Sequence, residues 1–199
     1  MRKRIIRSVG GVEARNRERE LLYAERERQE EQRRLKSHVL QDEAASPQDP
    51  AYPLIVRFCL YRERCSSEIR GRLYEMGVNE DTTEKYLKFL REERYYDDAR
   101  FCREYAYGKM RSRGWGREKI RYELESRYLD KEDVEAALAG LDIEIYEKQM
   151  KKAAKEKLAA LPESLDRRQL VFRHLKSRGF TSEEIVRLLD ILPETAKKK

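Results

Sequence analysis

Residues 119–141 read KIRYELESRYLDKEDVEAALAGL, and the same pattern stands at 68–90 as EIRGRLYEMGVNEDTTEKYLKFL and at 170–192 as LVFRHLKSRGFTSEEIVRLLDIL. Five apolar columns align: Ile69, Ile120 and Val171; Leu73, Leu124 and Leu175; Val78, Leu129 and Phe180; Leu87, Leu138 and Leu189; Leu90, Leu141 and Leu192. Ile69 to Ile120 and Ile120 to Val171 are both steps of 51 positions, and the other columns keep that step without a gap. Self-similarity at a fixed period marks a repeat array, in which each unit buries its apolar face on its neighbour.

Helix punctuation repeats in the same register. Asn79, Asp130 and Thr181 each stand just before a new stripe of helical period, where a side-chain oxygen accepts from the orphan amides of a first turn. Thr181 and Glu184 have the spacing of a capping box. Gly77 and Gly179 end the preceding helix at a left-handed position, whereas Tyr128 replaces that glycine in the middle copy, so its turn is expected to differ. Each copy opens with a longer helical stretch, from Tyr52 to Arg64, Asp97 to Arg113, and Asp142 to Leu161, the last stopped by Pro162. No alternation of strand period interrupts them. The expectation is an all-α chain of three tandem three-helix repeats, at 51–95, 96–141 and 142–192, in an elongated curved array. A charged N-terminal extension, helical or disordered, and its linker (1–50) precede it, and a basic tail (193–199) follows.

The extension differs from the repeats. Residues 12–36, VEARNRERELLYAERERQEEQRRLK, alternate acids and arginines at helical spacing but keep only a thin apolar stripe, and Pro47, Pro50 and Pro53 mark a linker. Deleting it is expected to cost little stability. Met1–Arg7 carries four basic residues and no acid.

Composition narrows the chemistry. The chain has 199 residues, 42% of them charged, and a net charge of +7. With 39% hydrophobic residues it cannot build one thick core. No run reaches the roughly 18 apolar residues of a membrane span, and the basic start lacks a signal-peptide apolar region, so a soluble cytoplasmic protein is expected. Cys59, Cys65 and Cys102 are widely spaced, and the histidines are His38 and His174 alone. These offer neither a zinc set nor a catalytic triad. Buried reduced thiols, no metal, no cofactor and no catalytic residue are the expectation.

The charge that matters is local. Residues 96–141 carry ten basic and ten acidic side chains, yet 100–121 hold eight basic ones (Arg100, Arg103, Lys109, Arg111, Arg113, Arg117, Lys119, Arg121) against Glu104 and Glu118. The acids collect in the third helix of the unit. On a helix opening at Asp97 and Asp98, which read as a cap rather than a metal pair, Phe101, Cys102, Tyr105 and Ala106 form a core face. Arg100, Arg103, Tyr107 and Arg111 share the opposite arc. Such an asymmetric surface suits a phosphate backbone; a solvated arginine-rich face is the plainer alternative. A second basic set is Lys151, Lys152, Lys155, Arg167, Arg168 and Arg173. Trp115, between Gly114 and Gly116, plugs a core corner, meets a partner or stacks on a base; the glycines relieve the turn. The motif lacks the lysine and preceding strand of a phosphate-binding loop.

YDDARFCREY (96–105) followed by RSRGWGREKIRYEL (111–124), with RERCSSEIRGRLYEMGV (62–78), resembles the RecX family of bacterial regulators of the recombinase RecA. The resemblance covers residues 52–192 and rests on an aspartate-aspartate-x-arginine-phenylalanine opening and a G-x-G-x-x-x-I-x-x-E-L block. Cys65 departs from it, standing where a capping serine is usual. The resemblance implies a non-catalytic protein that binds RecA–DNA filaments along their groove, lowers ATP hydrolysis and strand exchange, limits filament growth, and so acts in recombination, DNA repair and the SOS response. The implied partners are the RecA filament, single-stranded DNA and, as a further candidate, double-stranded DNA, with a monomer as the default state. A general helical nucleic-acid-binding module is the alternative; an enzyme would need a nucleophile, phosphate loop or metal cluster.

Overall fold

The computed structural model describes residues 50–162 and 166–192; the expectations for 1–49, His38 among them, and for the tail 193–199 lie outside these. Among the described residues there are nine helices and no strand. They are α1 (Ala51–Tyr61), α2 (Ser66–Glu75), α3 (Glu80–Glu92), α4 (Asp98–Arg113), α5 (Arg117–Glu125), α6 (Lys131–Ala139), α7 (Ile143–Ala159), α8 (Arg167–Ser177) and α9 (Ser182–Ile191). The chain packs as two compact units, one closing at Leu60 and the other beginning at Tyr61. In the first, α1 buries Ala51, Ile55, Val56, Cys59 and Leu60 at helical spacing. It ends at Tyr61 rather than continuing to Arg64.

In the second unit the column residues become the core. All of them are buried except Val78, which is half-buried. One continuous cluster runs through α4 to α9, from Phe101, Met110 and Leu124 to Tyr146, Leu175 and Leu189, so the second and third repeats share a core. Cys65, just before α2, joins that cluster. Within it α4 lies along α6, α5 on both, α8 on α7 and α9, and α4 on α7; α2 packs on α3.

The helix starts follow from the capping residues. Asn79 accepts from the Thr82 amide at 2.9 Å, Asp97 from Arg100 at 2.7 Å and Asp130 from Glu132 at 2.8 Å. Thr181 and Glu184 close the full capping box. Asp98 acts on another helix, its carboxylate accepting from the Ser66 amide of α2 at 2.7 Å. Cys65 gives α2 no side-chain cap, so the helix is capped from the following repeat instead.

The α5–α6 turn shares one feature with its equivalents and departs in another. Tyr128 has φ 57°, in the left-handed region occupied by Gly77 (77°) and Gly179 (88°) at the equivalent positions. The rest of the turn differs: the Val78 and Phe180 amides return to the Leu73 and Leu175 carbonyls, whereas the Leu129 amide makes no such bond to Leu124, and α5 stops one position earlier than its equivalents; a tyrosine bears the steric cost that glycine avoids.

Candidate nucleic-acid interface

The Gly-Trp-Gly segment sits where the second and third repeats touch. Gly114 closes α4 with φ 59°, a glycine conformation. Gly116 has φ −83° and needs no such freedom; what it needs is space. Its amide donates to the Arg178 carbonyl at 2.8 Å and the Glu118 amide donates to the Gly179 carbonyl at 3.0 Å. A Cβ on Gly116 would lie 2.2 Å from that Gly179 oxygen, and one on Gly179 would lie 2.4 Å from Lys119. Two turns, one from each repeat, thus meet backbone to backbone.

Polar side chains complete the joint. The Arg117 amide donates to the Tyr146 hydroxyl at 3.2 Å, which donates to Glu184 at 3.2 Å, and the Arg117 guanidinium pairs with the other Glu184 oxygen at 3.1 Å. Arg117 also stacks over the Tyr146 ring at 4.2 Å. Burial raises the Tyr146 phenol above its ordinary value and keeps it protonated as a donor. Arg178 Nη1 donates to the Arg113 carbonyl at 2.6 Å, and Arg178 Nε donates to His174 Nε2 at 3.0 Å. His174 therefore has a partner, which its place in the sequence did not reveal. Its pKa is lowered by burial, then by Arg178 and Lys157, so the ring is a neutral acceptor.

The joint divides the basic candidates. Arg100 pairs with Glu63 at 2.9 Å, with the two side chains only 25% and 16% exposed. Arg121 is clasped by Glu118 and Glu135, each at 2.7 Å. These two, with Arg117, hold the fold. Arg103 and Arg113 are exposed on α4; Arg103 lies in the field of Asp133. Lys109 stands over Tyr105 (4.9 Å) and Trp115 (5.3 Å), Lys119 over Trp115 (4.6 Å), and Arg111 over Tyr107 (5.9 Å), whose hydroxyl it also reaches at 3.2 Å. Trp115 is half-buried against the shared core, so it fills a corner and carries two ammonium groups on its ring.

The second set is divided too. Arg167 donates to the Leu158 carbonyl and Arg168 to the Leu189 carbonyl and Asp190. Lys151 and Lys152 pair with Glu147 and Glu156 along α7. Lys155 and Arg173 are exposed on α7 and α8. What the structure adds is Arg178, with exposed Lys176 beside it on the end of α8. Their carrier, the end of α8, docks on the end of α4 through the Arg113 carbonyl. Lys109 and Lys119 thus share the Trp115 ring, with Arg178 of the next repeat anchored on the nearby Arg113 carbonyl, and among the described residues none of Lys109, Arg111, Arg113, Lys119, Lys176 or Arg178 pairs with a carboxylate. The signal for Arg178 was the Arg-Gly turn, legible only once Gly179 is seen pressed on α5.

Elsewhere the chemistry is quiet. Cys59, Cys65 and Cys102 are buried, and burial pushes the Cys102 thiol up to about 12. Among the described residues no group of three or more His, Cys, Asp or Glu is arranged to hold a metal ion. No described helix is long and apolar enough to cross a membrane. A cleft of about 300 Å³ between α7 and α9 is lined by Ile143, Met150, Leu188 and Ile191, with Arg117–Glu184 and Glu147–Lys151 paired across its polar rim.

Comparison with known proteins bears on this arrangement. A family model described as RecX, second three-helix domain, matches residues 97–138, the stretch that contributes α4 to α6. The regulatory protein RecX of Prosthecochloris aestuarii is 34% identical over 132 residues, spanning 66% of this chain and 85% of that protein. The Serratia proteamaculans regulatory protein RecX is 36% identical over 114 residues, covering 57% and 67%. A crystal structure of regulatory protein RecX superposes with a TM-score of 0.61 at 26% identity, covering 68% of each chain. RecX from Lactobacillus salivarius shares the fold, with a TM-score of 0.64 at 16% identity over 69% of this chain and 90% of that one. With its all-helical repeats and its aspartate pair and Gly-Trp-Gly joint inside the matched domain, the chain belongs to the RecX family of regulatory proteins.

Proposed function

We propose that this protein is a non-catalytic regulator that binds filaments of the recombinase RecA on DNA and lowers their ATP hydrolysis and strand exchange. The observation that carries the reading is the pair of carboxylate-free ammonium groups, Lys109 of α4 and Lys119 of α5, on the Trp115 ring, with Arg178 from the end of α8 anchored on the Arg113 carbonyl beside them. Uncompensated positive charge on a jointed, rigid surface favours a polyanion, and each phosphate neutralised releases counterions. Trp115 adds a ring face beside the cations, as single-strand binders use.

The test is a charge reversal at Arg103, Arg111 and Arg113 together, leaving Arg100 in its ion pair with Glu63. All three positions are exposed on α4, and glutamate suits a helix as well as arginine does, so the circular dichroism is expected to stay unchanged. Inhibition of recombinase ATP hydrolysis is expected to fall sharply. The logarithmic salt slope of filament binding is expected to be shallower by roughly two units if all three meet phosphate. A triple variant that inhibits like wild type at every salt concentration would leave the stripe a solvated face. Tight binding to naked DNA with no preference for the filament would favour a general nucleic-acid module instead.

A further inference from the structure

We propose that Tyr128, at the tip of the α5–α6 turn, is a contact residue for the protein component of the filament, inserting into an apolar pocket rimmed by basic side chains. The inference rests on the reading above and adds a second surface to it, separate in chemistry from the cation cluster.

The turn has a tyrosine where its two equivalents have glycine, and it has it at φ 57°. A bulky residue in the left-handed region costs free energy that a glycine would not, and such strain persists where something else demands the side chain. Among the described residues nothing makes that demand. Tyr128 is 93% exposed, and its hydrogen bond is the turn bond from its own amide to the Glu125 carbonyl at 2.9 Å. Arg94, the other non-glycine residue with positive φ among the described residues, at least lends its carbonyl to Arg100. In the third repeat the same position is covered, because Gly179 lies against Lys119 of the preceding repeat. In the second repeat it is left open with a ring standing on it.

The surroundings specify the partner's chemistry. Residues 123–135 carry six acids against Arg127 and Lys131. Arg127 is tied to Glu123 at 3.3 Å, and Glu135 is taken by Arg121. Glu125, Asp130 and Glu132, with Lys131 between the last two, are exposed within four positions of Tyr128 along the chain. Carboxylates at this spacing repel phosphate within a Debye length of about 8 Å, so the ring faces protein and not nucleic acid. An aromatic anchor flanked along the chain by more acids than bases fits an apolar pocket framed by lysine or arginine, and such anchors dominate interface energetics.

The experiment compares wild type with Tyr128→Gly on RecA filaments assembled on single-stranded DNA with a slowly hydrolysed ATP analogue. Glycine relieves the turn, so the melting temperature is expected to rise by a few degrees while filament affinity falls roughly tenfold or more. The salt slope is expected to stay at the wild-type value, because no phosphate contact is lost, and Tyr128→Phe is expected to keep most of the affinity. Equal filament binding by wild type and Tyr128→Gly overturns the proposal, and so does a variant whose melting temperature falls. Wild type that fails to bind the filament at all sinks the reading it rests on, and is told apart because Tyr128→Gly is not needed to see it.

Discussion

His174 holds the Arg178 Nε hydrogen only while its own ring is neutral, and its surroundings keep it so. Burial is the largest cause, followed by Arg178 and Lys157, with Glu156 opposing them. A base whose folded pKa lies below its ordinary 6.5 contributes stability that is complete above that value and is lost as pH falls through the folded pKa, because the unfolded chain takes up the proton first. The wild-type melting temperature is therefore expected to drop more steeply between pH 7 and pH 5 than that of His174→Gln, a difference visible in paired thermal scans. The glycines give an opposite lesson at this scale. Gly71 and Gly108 lie inside α2 and α4, and a Cβ at either meets nothing within 4 Å. Alanine at each is expected to stabilise by about 0.5–1 kcal/mol. Gly116→Ala drives a Cβ into the Gly179 carbonyl and is expected to destabilise by about 3 kcal/mol, and urea denaturation of the three variants separates the two kinds of glycine.

Between helices, the unexpected device is capping from outside the repeat. The first amide of α2 donates to Asp98, and the first amide of α5 donates to Tyr146, each acceptor lying in the opening helix of the repeat that follows. In the last repeat α8 has its own cap, Asp166, which accepts from Gln169 at 3.2 Å. Asp98→Ala is expected to cost about 1 kcal/mol and to speed amide exchange at Ser66, whereas Asp97→Ala is expected to speed it at Arg100. Exchange that rises at Arg100 in both would return Asp98 to an ordinary role in its own helix. The helices and their starts at Asn79, Asp130 and Thr181 were legible in the sequence because propensity, period and cap are all local. That the turn of the middle copy differs was legible from the missing glycine; that Tyr128 still takes φ 57° was not, because the hydrogen bonds of the turn outweigh the residue's dislike of positive φ. Nor was the use of Gly116, since its neighbour lies about sixty positions away at Gly179 and no local rule spans that distance. Of the candidate cations, sequence could not tell Arg103, Arg111 and Arg113 from Arg100, Arg117 and Arg121, because pairing with Glu63, Glu184 and Glu135 is tertiary.

Across the second unit, charge is sorted into territories. The ends of α4 and α8 and the start of α5 carry the cations, while the end of α5 and α6 carry the acids, so one module presents two chemically distinct surfaces. Raising ionic strength between about 50 and 200 mM is expected to weaken the cation side steeply, and to leave an apolar anchor on the acidic side nearly unchanged. The borrowed caps bear on how such a chain can grow by gene duplication. A unit copied upstream of residues 142–192 finds an acceptor waiting for its middle helix, and it presents a new one to the unit before it. α8, closed by Asp166 of its own repeat, asks for no such acceptor from a neighbouring unit.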